Sequence, residues 1–166
     1  MAMAPHRSLN LIGLAVSACL LGVAQAAAET VPGYKWMAGG DQGVASLTYG
    51  NPETVEDLLF WLICENKKKT TELTVYDDVT GAKVGQPILI ELSAGAAKTS
   101  VKGQIATDEM TGYLFPQAKN IKVKPVIEVL KAKGPVTAKS GKLVTTLPEK
   151  GRAEAAAKFA KACALD

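Results

Sequence analysis

Histidine is nearly missing from this chain. One occurs in 166 residues, His6, and it lies in a stretch that reads as removable. His6 and Arg7 make a positive start, residues 9–24 are predominantly apolar, and Ala-Gln-Ala at 24–26 fits a small-x-small cleavage site. That is the layout of a secretory signal peptide. Its apolar run is shorter than the roughly 20 residues a spanning helix needs. Cleavage is expected after Ala26 or Ala28. A lipoprotein reading competes, because VSAC at 16–19 is similar to a lipobox. Against it, LLGVA continues the apolar run beyond Cys19, where a lipoprotein turns polar. With 1–26 removed, no histidine remains. That excludes Ser-His-Asp and Cys-His catalysis and removes the commonest zinc and copper ligand.

Other absences narrow the field further. No glycine-rich phosphate loop or metal-spaced cluster stands in the sequence. Ser-Lys chemistry is the nucleophilic route open without histidine, but Ser46, Ser93, Ser100 and Ser140 all lack a lysine three residues on. DDVTG at 77–81 lacks the alternating oxygen-ligand spacing of a calcium loop and reads as a turn. Glu53, Glu56 and Asp57 gather carboxylates near one turn, as a glycosidase needs. No aromatic sugar platform is nearby in sequence, and a solvated turn is the simpler reading. No cofactor is expected.

Net charge is also small. After Arg7 leaves, 18 Lys and Arg face 16 acids. The distribution is uneven: residues 27–97 carry 5 Lys and 10 acids, residues 98–166 carry 13 Lys and Arg and 6 acids. Such asymmetry marks an anion-binding face if it is clustered in space, and cancels if strands from both halves interleave in one sheet.

Two cysteines remain, Cys64 and Cys163. In an oxidising compartment two thiols pair. Cys64 ends the most hydrophobic segment, LLFWLIC at 58–64, which reads as a central strand apolar on both faces. Leu58, Phe60, Leu62 and Cys64 share one face by the period of two. In the alanine-rich stretch 151–163, Ala156, Phe159, Ala160 and Cys163 fall at i, i+3, i+4 and i+7, one stripe of a helix. A Cys64–Cys163 bridge would pin that helix to the strand.

Strands are also expected at 44–49, 71–77, 87–92, 98–106 and 111–117, the last closed by Pro116. A hairpin is expected about Ser140–Gly141 within 135–148, and a solvated connection at Lys67, Lys68 and Lys69. At 125–134 the period changes: Val126, Val129, Leu130 and Lys133 make a short helical stripe between Pro125 and Gly134. The prediction is a mainly β protein. It is an antiparallel β-sandwich or partly open barrel of about eight short strands, with a short helix and a disulfide-pinned C-terminal helix. Domain organisation follows as signal peptide 1–26, irregular segment 27–42 and one β-rich domain 43–166.

The candidate binding surface joins Tyr113 and Phe115 to Lys119, Lys122 and Lys124. Aromatics beside lysines suit an anionic envelope component, whereas an export signal argues against nucleic acid. The pattern YGNPET at 49–54, then Cys64, then G…F..AC ending at Cys163 resembles a loose group of small exported bacterial proteins, mostly alphaproteobacterial, of unassigned function. The resemblance implies export and a paired-cysteine staple, and supplies no catalytic residue.

The sequence therefore points to a non-catalytic periplasmic or secreted module, monomeric, without a transmembrane segment after cleavage. It would bind an envelope protein or anionic envelope component, or serve a structural role. The alternatives are an inhibitor of an exported hydrolase, inserting GNPET at 50–54 or TGYLFP at 111–116, and an enzyme using carboxylates or a Ser-Lys pair.

Overall fold

Short stretches of alternating apolar residues become strands wherever one face can be covered. The computed structural model describes residues 31–54, 57–65 and 70–164. The signal peptide with Cys19, Glu56 and the Lys67–Lys69 run lie outside the described residues. In chain order the elements are β1 (Lys35–Asp41), β2 (Val44–Gly50), β3 (Leu58–Glu65), β4 (Thr70–Val75), β5 (Pro87–Ala94), β6 (Ala97–Thr107), β7 (Leu114–Lys119), α1 (Val123–Lys131), β8 (Val136–Ser140), β9 (Leu143–Leu147) and α2 (Arg152–Ala162). The nine strands form one open antiparallel sheet in the order β1-β2-β3-β4-β7-β6-β5-β8-β9. No described helix is long and apolar enough to cross a membrane.

The mainly β fold of about eight strands is as expected. Nine strands are described, because part of the segment 27–42 read as irregular is β1. Its paired glycines, Gly39 and Gly40, hide the alternation. Yet every residue of it pairs with β2, through a turn in which Gln42 and Gly43 both have positive φ, the type I′ signature. Next, β7 continues through Pro116 instead of ending there. The β4 ladder reaches only Gln117–Lys119, so the missing proline N–H falls where β4 no longer pairs. Finally, α1 starts two residues before Pro125. The first-turn N–H groups have no helical partner, so proline costs nothing there. Lys133, assigned to the buried stripe, is exposed beyond the end of α1.

The sheet is strongly curled, and β6 makes its corner. Residues Ala97 to Gln104 pair with β5, while Gln104 to Thr107 pair with β7. At the changeover a Cβ on Gly103 would lie 2.4 Å from the Gln117 carbonyl oxygen, so only glycine lets the strands come this close. The inner face holds the core. Leu47, Phe60, Leu62, Leu73, Ile90 and Leu92 are buried there, each contributing about 1.5–3 kcal/mol by removal from water.

Both helices cover this inner face. α1 packs on β5 and β6, α2 packs on β1 and β2, and the helices touch each other. Val126, Val129 and Leu130 of α1, and Ala156, Phe159 and Ala160 of α2, are the buried stripes the spacing predicts. The staple forms as expected: Cys64 and Cys163 are disulfide-bonded, Cα atoms 6.0 Å apart and 99 residues apart in sequence. Cys163 caps α2, so the bridge fixes the end of that helix to β3, an interior strand of the sheet.

Candidate functional site

Because both described helices lie on the inner face, neither covers the outer face of β1–β4. β3 is apolar there too: Trp61 and Ile63 alternate with the core residues and are half-buried. Beside them β1 and β2 present small or short side chains, Gly39, Ser46 and Thr48. The result is a groove of about 680 Å³ between Met37 and Val44 at one side, Trp61 and Ile63 along it, and Tyr76 and Asp108 at the far end. That volume is in the range of ligand-binding clefts. Asn51, Pro52 and Thr54, from the turn after β2, also line it.

An aromatic row continues outward from the groove. Trp61 stacks on Tyr76 with ring centres 6.5 Å apart. Tyr76 packs on Phe115 at 4.9 Å, and Phe115 on Tyr113 at 6.4 Å. Carboxylates surround the row. Burial first, then the charges of Glu72 and Asp108, push the Tyr76 phenol up to about 12. Burial first, then Asp77 and Asp78, raise that of Tyr113.

Asp108 is fixed by its own turn. Its Oδ1 accepts from Thr111 N (2.8 Å), Thr111 Oγ1 (2.9 Å) and Met110 N (3.0 Å). Those bonds, led by the Thr111 backbone N–H, hold its carboxyl below the usual aspartate range. Glu72 is differently occupied, accepting from Gln117 Nε2 at 2.9 Å and lying 3.8 Å from Lys119 Nζ.

The five residues expected to share a binding surface are divided. Tyr113 is exposed just before β7, and Phe115 is buried under it and Tyr76. Lys119 ends β7, about 20 Å away at the rise of a strand. It lines a separate cleft of about 690 Å³ with Lys102, Lys122, Thr99 and Asn120. Lys122 precedes α1, whose first turn contains no acid. Lys124 is exposed in that first turn, outside the cleft lining. The structure thus joins Lys119 to Lys122 and separates both from the aromatics.

Trp61, Tyr76 and Asp108 are the groove residues that sequence reasoning missed. The available signal was the second face of β3, whose Trp61 and Ile63 are too apolar for an ordinary solvated face. In the turn after β2 the Asn51 amide oxygen accepts from Glu53 N at 3.0 Å, and the Asp57 carboxylate accepts from the Tyr34 hydroxyl. Asp77 and Asp78 accept from Thr145 and Thr80 at 2.7 and 2.9 Å. Among the described residues no group of three or more His, Cys, Asp or Glu is placed to hold a metal ion. Comparison with protein-family models, with curated proteins and with solved structures finds no match.

Proposed function

We propose that this chain is a non-catalytic, exported binding module whose ligand site is the outer-face groove over β1–β3. The observation that carries the reading is the half-buried Trp61, stacked on Tyr76 in a groove that neither described helix covers. Large aromatics left accessible on a rigid sheet are the groups that anchor partners. Export is supported by the signal-like N-terminus, by the disulfide, which persists in oxidising compartments, and by the resemblance of the YGNPET turn to small exported bacterial proteins. The turn at 50–54 forms one wall of this groove, which suits a receptor site better than a loop inserted into a protease.

A second reading, recognition of an anionic envelope component, is favoured by the cleft that gathers Lys102, Lys119 and Lys122. The two readings separate in one experiment. Envelope extract is passed over the immobilised mature domain and over its Trp61→Ala and Lys119→Ala/Lys122→Ala variants. A partner retained by the parent and the lysine variant but lost with Trp61→Ala supports the groove. Retention by Trp61→Ala with loss from the lysine variant transfers the function to the basic cleft.

A further inference from the structure

The groove's size and electrical character specify its occupant more closely. It runs across the strands, from Met37 on β1 to Tyr76 just beyond β4. Three interstrand spacings make about 14 Å, the length of about four extended residues. Its two ends differ. Met37, Val44, Trp61 and Ile63 make an apolar half. At the other end Tyr76 and Asp108 line the groove together, and Glu72 and Asp108 are both close enough to raise the Tyr76 phenol. An aromatic face next to a carboxylate attracts a cation.

Glu72 already has Lys119 beside it, but the donors on Asp108 among the described residues are all neutral. Its negative charge is therefore held at the mouth of an apolar trough without a described ion pair. Asp108 is exposed, so its charge stays solvated under an apolar occupant, but it repels an acidic one and attracts a basic one.

We infer that the groove docks a short extended segment of a partner protein in which a lysine or arginine alternates with apolar side chains. In an extended chain every second side chain points the same way, so an apolar–x–basic pattern lays its apolar group on Trp61 and Ile63 and its cation against Tyr76 and Asp108. This inference rests on the groove reading proposed above and adds the chemistry of the occupant.

The test uses the mature domain and three blocked hexapeptides. In the first, leucine, arginine and leucine occupy alternate positions with serine between them. The other two replace the arginine with glutamine or glutamate. Dissociation constants are measured by calorimetry, and the Trp61 indole N–H is followed by NMR. The arginine peptide is expected to shift that resonance and to bind about tenfold tighter than the glutamine peptide.

Two variants locate the effect. Asp108→Asn keeps an oxygen for the turn's three donors and should remove most of the arginine advantage, as should high salt. Gly39→Val fills the groove. A Cβ there meets only Ser46 Oγ, at 3.6 Å, so the strand tolerates it, and all three peptides should lose affinity. If the three peptides bind equally and shift Trp61, the basic-segment inference fails while the groove reading survives. Failure of the arginine peptide to bind, or binding that leaves Trp61 unshifted, also overturns the inference. The groove itself is then judged by retention of the partner on Trp61→Ala.

Discussion

The indole N–H of Trp36 donates to the carbonyl oxygen of Pro148 at 2.8 Å, across 112 residues of chain. Trp36 belongs to β1, one edge of the sheet, and Pro148 directly follows β9, the other edge. The edges of a formally open sheet are thus tied by a side chain instead of a ladder. Trp36 also packs on Tyr49 and Phe60, at 5.2 and 5.4 Å between ring centres, which fixes the indole for this bond.

Trp36→Phe should keep most of the packing and lose the bond. The buried carbonyl of Pro148 would then lack its donor, and stability should fall by about 1–3 kcal/mol. Urea unfolding measures the loss, and amide exchange should quicken in β1 and β9 before the central strands. An unchanged midpoint would show that the edges are held together by something else.

The curl that this bond completes was only partly legible in the sequence. Period-two alternation located β2, β4, β5 and β6, which bury one face and need the pattern, while β3 was located by its continuous apolar run. β1 was hidden because Gly39 and Gly40 contribute no apolar signal, and only pairing with β2 reveals them as strand. The site was harder to see. Lys119 and Tyr113 are near in sequence, but a strand places them at opposite ends. Trp61 and Asp108 are 47 residues apart and meet only through the fold. Periodicity tells which side chains point the same way; it does not tell which strands lie side by side.

The staple between Cys64 and Cys163 was legible because the signal-peptide reading sets Cys19 apart and leaves two cysteines, which can pair in one way. It closes a long loop, and the chain-entropy model gives stabilisation of about 4–5 kcal/mol for such a bridge. The double variant Cys64→Ala/Cys163→Ala should lose that amount in urea unfolding, with α2 amides exchanging first. A loss below about 1 kcal/mol would mean that the burial of Phe159 alone holds α2 in place.

All four tyrosines are shifted upward. Tyr34 and Tyr76 rise to about 12 and Tyr49 and Tyr113 rise less, burial being the largest cause in each. For Tyr34 the hydrogen bond to Asp57 comes second. The unfolded phenols ionise near 10, so the unfolded chain releases these protons first. Their contribution to stability is complete below about pH 10 and is lost as pH rises toward 12. Absorbance at the phenolate band should lag in the folded protein and rise near pH 10 in denaturant. The urea midpoint should drop over the same interval. Phenols titrating near 10 in the folded state would contradict the Asp57 bond described for Tyr34 and the packing described for Tyr76.

Arg152 is the largest side chain with no exposed surface, and no carboxylate bonds to it among the described residues. It opens α2, yet its guanidinium closes α1. Nε donates to the Leu130 carbonyl at 2.8 Å, and Nη2 donates to that of Ala132, the residue capping the helix. A helix leaves its last carbonyls unpaired, and a cation there also meets the negative end of its dipole. Two oxygens in a fixed relation suit a planar fork. Arg152→Lys presents one compact ammonium in its place and cannot repeat the geometry.

The lysine variant should therefore lose about 1–3 kcal/mol, and Arg152→Ala more, about 3–5 kcal/mol, by adding a cavity to the orphaned carbonyls. Amide exchange should quicken at Lys131–Lys133 and at the start of α2, where the two helices meet. If lysine restores full stability, Arg152 acts only as buried charge and volume, and the docking of α1 against α2 rests on their apolar stripes alone.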